Sequence, residues 1–283
     1  MNVELTPITD ADMAAVEDFL HANLNDRVPW ASSYGAVPWK VKAPNHGFML
    51  RDGQRVVGTL LALYSDRLVA GRLERFCNLG AWCVLPRYRS RSISLLTAML
   101  AQEGYHFTVL SPSEGPQAIL AMHRFRSLDR SAAFIPNLPW PTLPGRTRIS
   151  ADPDVIERTL TGTELELYHD HAHALAAHHL VLIRGHDSCY VMYREFRYKG
   201  VPLFAIVLHV SNPELFHRAL FSLTRHLLVR HGLVATLAEL RIINHPPRLS
   251  FCLNYWPKMY RSASVEPEQV DNLYSELVSV PGW

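Results

Sequence analysis

The chain contains the same succession of structural patterns twice. An apolar run, Pro86, an amphipathic helical pattern, Gly104 and a second apolar run follow one another. The same succession recurs farther along, with Pro213 placed 127 positions after Pro86 and Gly232 placed 128 positions after Gly104. The patterns of a helix and a hairpin precede each copy in the same order. A repeat of this length predicts two copies of one α/β unit rather than a solenoid.

A basic turn lies between the first strand of the first copy and its helix. The turn reads Arg87-Tyr88-Arg89-Ser90-Arg91-Ser92, and the helical pattern after it ends at Gly104. A strand, a tight turn and a helix start in succession present free backbone N–H groups to an anion. The three arginines add charge that matches phosphate. The sequence therefore predicts a pyrophosphate-binding turn.

The same residues resemble the central signature of the GNAT superfamily of acyl-CoA N-acyltransferases. In that family a strand ends near V-x-P-x-Y, the motif R-G-x-G-x-G follows, and a helix begins. Here the segment reads Val84-Leu85-Pro86-Arg87-Tyr88-Arg89-Ser90-Arg91-Ser92-Ile93-Ser94, with a serine in place of each glycine. Serine keeps the backbone N–H that a phosphate needs, and it adds a Cβ and a hydroxyl. The hairpin pattern around Asp52-Gly53 also looks like that of the family.

The resemblance and the repeat together imply two tandem GNAT-like domains of the α/β (α+β) class. Each would be a mixed, mostly antiparallel sheet flanked by helices. Residues 1–135 would bind acyl-CoA, residues 136–154 would form a Pro-rich linker, and residues 155–283 would form a degenerate second domain. The second copy has no arginine turn and carries Glu214 where phosphate would lie, so we expect no CoA there.

Within the first domain, the resemblance implies roles for the cofactor strand and for the turn. The backbone N–H groups near Trp82, Cys83 and Val84 would polarise the carbonyl of an acyl thioester. The pyrophosphate would be held by the turn and the helix start, which comprise Arg89, Ser90, Arg91, Ser92, Ile93 and Ser94. Ser111 and Ser113 follow the next strand, where a contact to substrate or pantetheine is expected; the alternative is a plain Pro/Gly loop.

The acid and the base of an acyl transfer are less clearly marked. The general base in this family is often a carboxylate on or near the cofactor strand, and Glu74 is the nearest candidate; alternatively, it is a solvated charge beside Arg72 and Arg75. No tyrosine stands where the family places its general acid. His123 is the candidate acid there because a histidine pKa lies near neutrality; the alternative is a surface or packing histidine.

Other chemistries are not favoured by the sequence. His169 and His173 stand four residues apart on a predicted helix, but the spacing fixes no third ligand, so we predict a polar helix face and no metal. None of the four cysteines belongs to a C-x-x-C pair, which predicts buried, reduced thiols. The lack of a G-x-S-x-G elbow argues against a serine hydrolase.

Composition limits the partners. Lys and Arg number 28 against 26 Asp and Glu, a balance that does not favour nucleic-acid binding. The N-terminus has no signal-peptide pattern, and no run approaches the ~20 apolar residues of a membrane span. We therefore expect a cytoplasmic protein without membrane partners, either a monomer built as a pseudo-dimer or a homodimer.

The sequence thus predicts an N-acyltransferase, most simply an acetyltransferase. An acyl group would pass from acyl-CoA to a small-molecule amine by direct attack in a ternary complex. Two alternatives stay open. An acyl carrier protein is a possible donor, and a non-catalytic GNAT-like CoA-binding or scaffold protein is a possible identity of the chain.

Overall fold

The computed structural model describes residues 3–141 and 147–282. This part of the chain divides into two compact units. The first unit contains Met1–Leu128, Pro257–Val270 and Tyr274–Trp283, and the second contains Asp129–Trp256 and Asp271–Leu273. Each unit has its own sheet and its own buried hydrophobic core.

The secondary structure consists of strands and mostly short helices. In chain order the strands are β1 (Val3–Pro7), β2 (Gly47–Asp52), β3 (Arg55–Val69), β4 (Arg72–Val84), β5 (His106–Val109), β6 (Arg126–Ser127), β7 (Ser131–Pro136), β8 (Arg148–Ser150), β9 (His178–Arg184), β10 (Asp187–Tyr198), β11 (Val201–Val210), β12 (Ala235–Glu239), β13 (Phe251–Asn254) and β14 (Met259–Arg261).

The α-helices are α1 (Met13–Asn23), α2 (Trp30–Gly35), α3 (Ser92–Leu100), α4 (Glu114–Met122), α5 (Pro153–Thr159), α6 (Gly162–His171), α7 (Pro213–His231), α8 (Leu240–Ile243) and α9 (Glu276–Ser279). Short 3-10 helices span Asp10–Asp12, Pro86–Arg91 and Pro267–Gln269. No helix within residues 3–141 and 147–282 is long and apolar enough to cross a membrane.

The two sheets have the same topology. The first has the strand order β1-β2-β3-β4-β5-β14-β6, and the second, from the matching edge, has the order β8-β9-β10-β11-β12-β7-β13. β4 pairs with β5 and β11 pairs with β12 in parallel, whereas the other neighbouring strands of the described residues are antiparallel. This mixed, mostly antiparallel arrangement confirms the predicted fold class and the internal repeat.

Each sheet takes one strand from the other half of the chain. β7 follows β6 in sequence but pairs with β12 and β13 in the second sheet. β14 follows β13 in sequence but pairs with β5 and β6 in the first sheet. The observed units therefore differ from the predicted boundaries. Residues 129–135 belong to the second unit, and residues 257–270 and 274–283 belong to the first, because a local pattern reveals a strand but not its partner.

Two segments predicted to lack regular structure contain some. Of the predicted linker, residues 142–146 lie outside the described residues, but β8 occupies residues 148–150 and α5 begins at Pro153. Residues 25–46 are rich in Pro, Trp, Ser and Asn, which predicts a loop, yet they contain α2. This short helix contributes to the candidate site described below.

The packing of α3 fixes the position of the segment before it. Leu95, Leu96 and Met99 of this helix are fully buried in the core of the first unit, where Leu60 and Leu79 of the sheet also lie. Burial of such a side chain contributes about 1.5–3 kcal/mol each. The helix is thereby held against the sheet, and the 3-10 helix in front of it is held beside the end of β4.

A truncation tests the exchange of strands. Deletion of residues 257–283 removes β14 and α9 from the first unit, together with the buried side chains of Met259, Tyr260 and Val278. We expect the first unit to lose cooperative folding because β5 loses a neighbouring strand and the core loses these side chains. Hydrogen exchange should show β4 and β5 unprotected in the deletion variant, and full protection there would contradict the assignment of β14 to the first sheet.

Candidate functional site

The two parallel strands of the first sheet separate at one end. Their pairing stops at Asn78 opposite Thr108, although β4 continues to Val84. The Asn78 side-chain amide donates to Thr108 Oγ1 over 3.1 Å at this point. Beyond it β4 is irregular, with Ala81 in the left-handed conformation at φ 48°. The separation opens the backbone edge of β4 to the space between the strands.

A cavity and a groove occupy this opening. The cavity has a volume of about 140 Å³ and lies between β4, β5, α3 and α4. The groove, of about 680 Å³, follows the end of β4 as far as Arg89 and Ser92. Trp82, Ser113 and Pro116 lie in the walls of both. A long ligand could therefore lie in the groove with one end in the cavity.

The predicted pyrophosphate turn is a 3-10 helix that continues directly into α3. It spans Pro86–Arg91. The Tyr88 N–H donates to the Leu85 carbonyl at 2.8 Å, and the Ser92 N–H donates to the Arg89 carbonyl. These two N–H groups are therefore not free, because the i→i+3 bonding of a 3-10 helix engages them. Arg89 and Ser92 still lie in the groove wall.

The structure places the three predicted strand contacts in the groove wall. Trp82, Cys83 and Val84 all line it. The indole Nε1 of Trp82 is buried and has no hydrogen-bond partner in the described part of the chain. Burial raises the pKa of the Cys83 thiol, so this group stays protonated at neutral pH. The unpaired indole N–H is a donor ready for an acceptor on a ligand.

Four of the six residues predicted to hold the pyrophosphate lie outside the walls of the groove and the cavity. They are Ser90, Arg91, Ile93 and Ser94. The Arg91 guanidinium donates to the Val3 carbonyl at 3.3 Å. The Ser94 hydroxyl donates to the Arg91 carbonyl at 2.6 Å, and Ile93 is 47% exposed. The contribution of the segment to the groove is thus concentrated at Arg89 and Ser92.

A buried carboxylate lies next to the cavity. Glu276, on α9, is only 1% exposed. Its Oε1 accepts hydrogen bonds from the Ser111 hydroxyl at 2.8 Å and from the Leu110 N–H at 3.1 Å, while its Oε2 has no partner among residues 3–141 and 147–282. Burial raises the pKa of Glu276, and the Ser111 hydrogen bond opposes that shift. Ser111 lines the cavity, so one hydroxyl connects the cavity to a proton acceptor.

A tyrosine hydroxyl lies against the strand at the same level. Tyr34, on α2, is 2% exposed, and its oxygen packs so closely on Gly80 that a Cβ there would collide with it. Burial and the Glu276 carboxylate raise the pKa of Tyr34 well above its usual value. The carbonyl of Tyr34 lies 3.1 Å from Nδ1 of His46, whose Nε2 lies 2.7 Å from Asp10. A phenol that stays protonated at neutral pH thus stands beside the cavity wall at Gly80.

Solved structures of acetyltransferases superpose on nearly the whole chain. A GCN5-related N-acetyltransferase from Anabaena variabilis ATCC 29413 matches with a TM-score of 0.59 and 12% identity, covering 92% of this chain and 72% of that chain. A GCN5-related N-acetyltransferase from Kribbella flavida matches with a TM-score of 0.54 and 14% identity, covering 92% of this chain and 71% of that chain. The chain has the GNAT fold. Eis1 from Mycobacterium abscessus also matches, with a TM-score of 0.50 and 14% identity, covering 92% of this chain and 73% of that chain.

The GNAT fold is thus established through structure rather than through sequence. No family model and no curated protein matches this sequence. The predicted resemblance is confirmed at the level of the fold. The separation of β4 from β5 and the basic helix before α3 lie where the sequence motif of the GNAT superfamily places its cofactor strand and turn.

Within this GNAT fold, Glu74 lies away from the cavity. Its Oε2 is 3.0 Å from Nε2 of His106, and Nδ1 of that ring is 2.9 Å from the Ser262 hydroxyl. Eight residues of extended strand, at ~3.3 Å each, separate Glu74 from Trp82. Glu74 therefore helps to tie the β14 segment to β5, and the predicted role of general base does not fit its position.

His123 is also misplaced for its predicted role. It follows the last residue of α4, where its N–H donates to the Ile119 carbonyl at 3.1 Å. It is not among the described residues that line the cavity or the groove. The structure instead brings the buried Tyr34 hydroxyl, from α2, to the β4 backbone at Gly80.

Ser111 and Ser113, the two predicted substrate contacts, both line the cavity. Ser113 also lines the groove. Both precede α4, and Ser113 is its N-cap residue. Their position after the strand that follows the cofactor strand, which the family resemblance singles out, therefore leads to residues at the opening. Their contact with a ligand stays a prediction.

The histidine-rich segment of the second unit shows no metal site. His169 lies 3.8 Å from Glu157, and both side chains are more than half exposed. Within the described ranges, no group of three or more His, Cys, Asp or Glu residues is arranged to hold a metal ion.

In the second copy, the start of α7 differs from the basic segment before α3. The Asn212 side chain accepts a hydrogen bond from the Leu215 N–H at 3.0 Å and thereby caps α7. The carboxylate of Glu214 lies in the same first turn. A phosphate at this helix start would meet an engaged N–H and a negative charge. The absence of CoA from the second copy stays a prediction.

Proposed function

We propose that the first unit transfers an acyl group from acyl-CoA to a small-molecule primary amine. The observation that carries this proposal is the pairing of a buried carboxylate, Glu276, with a protonated phenol, Tyr34, at the point where β4 and β5 separate. Acyl transfer to an amine needs a proton acceptor and a proton donor at one carbonyl. The groove leads from this point to a basic helix, as a CoA site requires.

The residues of the groove suit the parts of CoA. Arg89 supplies positive charge for a pyrophosphate, and Pro116 and Ile119 supply apolar surface for a pantetheine arm. The unpaired Nε1 of Trp82 supplies a donor for an amide carbonyl of that arm. When bound, CoA supplies its acyl group activated as a thioester.

Two side chains at the opening carry out the proton transfers of the reaction: Glu276 accepts a proton and Tyr34 donates one. Glu276 accepts a proton from the incoming ammonium group through Ser111, and its raised pKa makes it a stronger base than an exposed carboxylate. Tyr34 keeps its proton at neutral pH. It gives that proton to the leaving sulfur and takes up the second proton of the ammonium group in its place, so that it ends the reaction protonated. The backbone N–H groups at Trp82–Val84 stabilise negative charge on the carbonyl oxygen.

Reversal of one arginine charge tests the cofactor site. In an Arg89→Glu variant, the affinity for CoA measured by calorimetric titration should fall at least tenfold, because a carboxylate then faces the pyrophosphate. Arg87→Glu is the matched control, since it makes the same charge change at an exposed residue of the same helix outside the groove wall. Wild-type affinity in Arg89→Glu, or an equal loss in both variants, would contradict this site. CoA binding without turnover on any amine would favour the non-catalytic alternative.

A further inference from the structure

The inner wall of the cavity is apolar. It is formed by six aliphatic side chains: Leu24, Leu60, Leu79, Leu96, Val109 and Leu120. The other lining residues are Gly80, Ala81 and Trp82 of β4 and the residues of the Ser111–Pro116 loop. Leu60, Leu79 and Leu96 come from three different elements and are each at most 2% exposed. The cavity is therefore closed on this side by packed aliphatic side chains.

The volume of the cavity exceeds what an acetyl group needs. An apolar cavity of ~150 Å³ lined by aliphatic and aromatic side chains holds a six-carbon ring, and this cavity has a volume of about 140 Å³. The methyl group of an acetyl thioester would leave most of that volume empty. Unfilled apolar volume forfeits the dispersion contacts and the transfer free energy that a longer chain would gain.

On the basis of the proposed function, we propose that the acyl donor is a medium-chain acyl-CoA of about four to eight carbons. The acyl carbonyl would lie at the Trp82 backbone N–H, where the cavity and the groove meet. The chain would run from there past Gly80 to Leu60, Leu79 and Leu96. In the reaction the C–S bond of the thioester breaks and a C–N bond forms. One proton of the ammonium group goes to Glu276, and a second ends on the sulfur of CoA.

Binding measurements with acyl-CoA thioesters of increasing length test this inference without knowledge of the amine. Each buried methylene should tighten binding about fourfold, so hexanoyl-CoA should bind on the order of 100-fold tighter than acetyl-CoA. The gain should stop for palmitoyl-CoA, whose chain is longer than the cavity. A Val109→Phe variant, which fills the cavity from the end of β5, should lose the gain. Val201→Phe, the same change at an exposed position of the second unit, should keep it.

The outcomes separate this inference from the proposed function. Equal affinities for acetyl-CoA and hexanoyl-CoA, with CoA bound in the groove, would overturn the chain-length inference alone. Failure of CoA itself to bind would overturn both. A steady gain up to palmitoyl-CoA that Val109→Phe leaves intact would place the chain on an open surface and would also overturn the inference. An enlarged cavity in Leu120→Ala should move the optimum to longer chains, which gives a second variant if Val109→Phe folds poorly.

Discussion

A Glu276→Gln variant is expected to lose 100-fold or more of its amine acylation rate while keeping its affinity for CoA. General acid–base catalysis by one positioned group contributes about 10²–10⁴-fold, and Gln has no basic oxygen to accept the proton. Gln has the same shape as Glu and keeps an acceptor for the Ser111 hydroxyl and the Leu110 N–H. The measurement is amine-dependent release of CoA thiol from hexanoyl-CoA, with calorimetric CoA binding as the control.

The same variant should change the pH dependence of stability. Burial raises the pKa of Glu276, so the folded state binds its proton more tightly than the unfolded state does. The resulting contribution to the free energy of unfolding is complete below the unfolded pKa of ~4.3. It is lost as the pH rises through the folded pKa. Glutamine does not ionise, so Glu276→Gln keeps this contribution at every pH. At a pH above the folded-state pKa of Glu276, the melting temperature of the variant should therefore equal or exceed that of the wild type.

Two results would contradict the role of Glu276. One is a wild-type rate in Glu276→Gln. The other is a rate of the wild-type protein that does not rise as the pH increases through the raised pKa, because only the ionised carboxylate accepts a proton. Loss of activity together with loss of CoA binding would show that the substitution disturbs the fold rather than the proton transfer.

A Gly80→Ala variant is expected to be destabilised and inactive, and removal of the Tyr34 hydroxyl should restore its stability. A Cβ at residue 80 would collide with the hydroxyl oxygen of Tyr34 but would lie 3.4 Å from its Cζ. Overpacking of this kind costs about 1–3 kcal/mol. In the double variant with Tyr34→Phe the oxygen is gone, so most of that cost should disappear. Activity should stay low because the proton donor is missing.

Denaturant unfolding of the two single variants and the double variant gives the coupling free energy directly. Gly35→Ala is the control, since a Cβ there would lie no closer than 3.7 Å to Met13. Additive effects of Gly80→Ala and Tyr34→Phe would contradict the close packing of the hydroxyl on the strand. Full activity of Tyr34→Phe would contradict its role as proton donor.

Much of the fold follows from local sequence patterns. The turn at Gly53 predicts the hairpin of β2 and β3, and Pro86 with Gly104 marks the limits of the segment that contains α3. The spacing of Pro213 and Gly232 repeats that order and predicts the second copy. These signals are local, because backbone geometry at a turn or a helix end restricts the residue types allowed there.

The reactive groups of the candidate site could not be predicted in the same way. Glu276 reaches Asn78 across 198 positions of sequence, and its N–H donates to the Asn78 side chain at 3.0 Å. Tyr34 stands in a segment whose composition predicts a loop. Both positions depend on which strands pair, and the exchange of β14 into the first sheet has no local signal. The sequence favours Glu74 because it is near the cofactor strand and His123 because it lies in the segment that matches the family's general-acid motif. The fold places neither residue in the wall of the cavity or the groove.

The opening between β4 and β5 is the proposed site of acyl-CoA, on which both the proposed function and the chain-length inference depend. A crystal structure of the protein with hexanoyl-CoA tests it directly. We expect the pyrophosphate at Arg89, the pantetheine arm between Trp82 and Pro116, and the acyl chain against Leu79. Ligand density elsewhere, for example at the start of α7 in the second unit, would contradict the central claim.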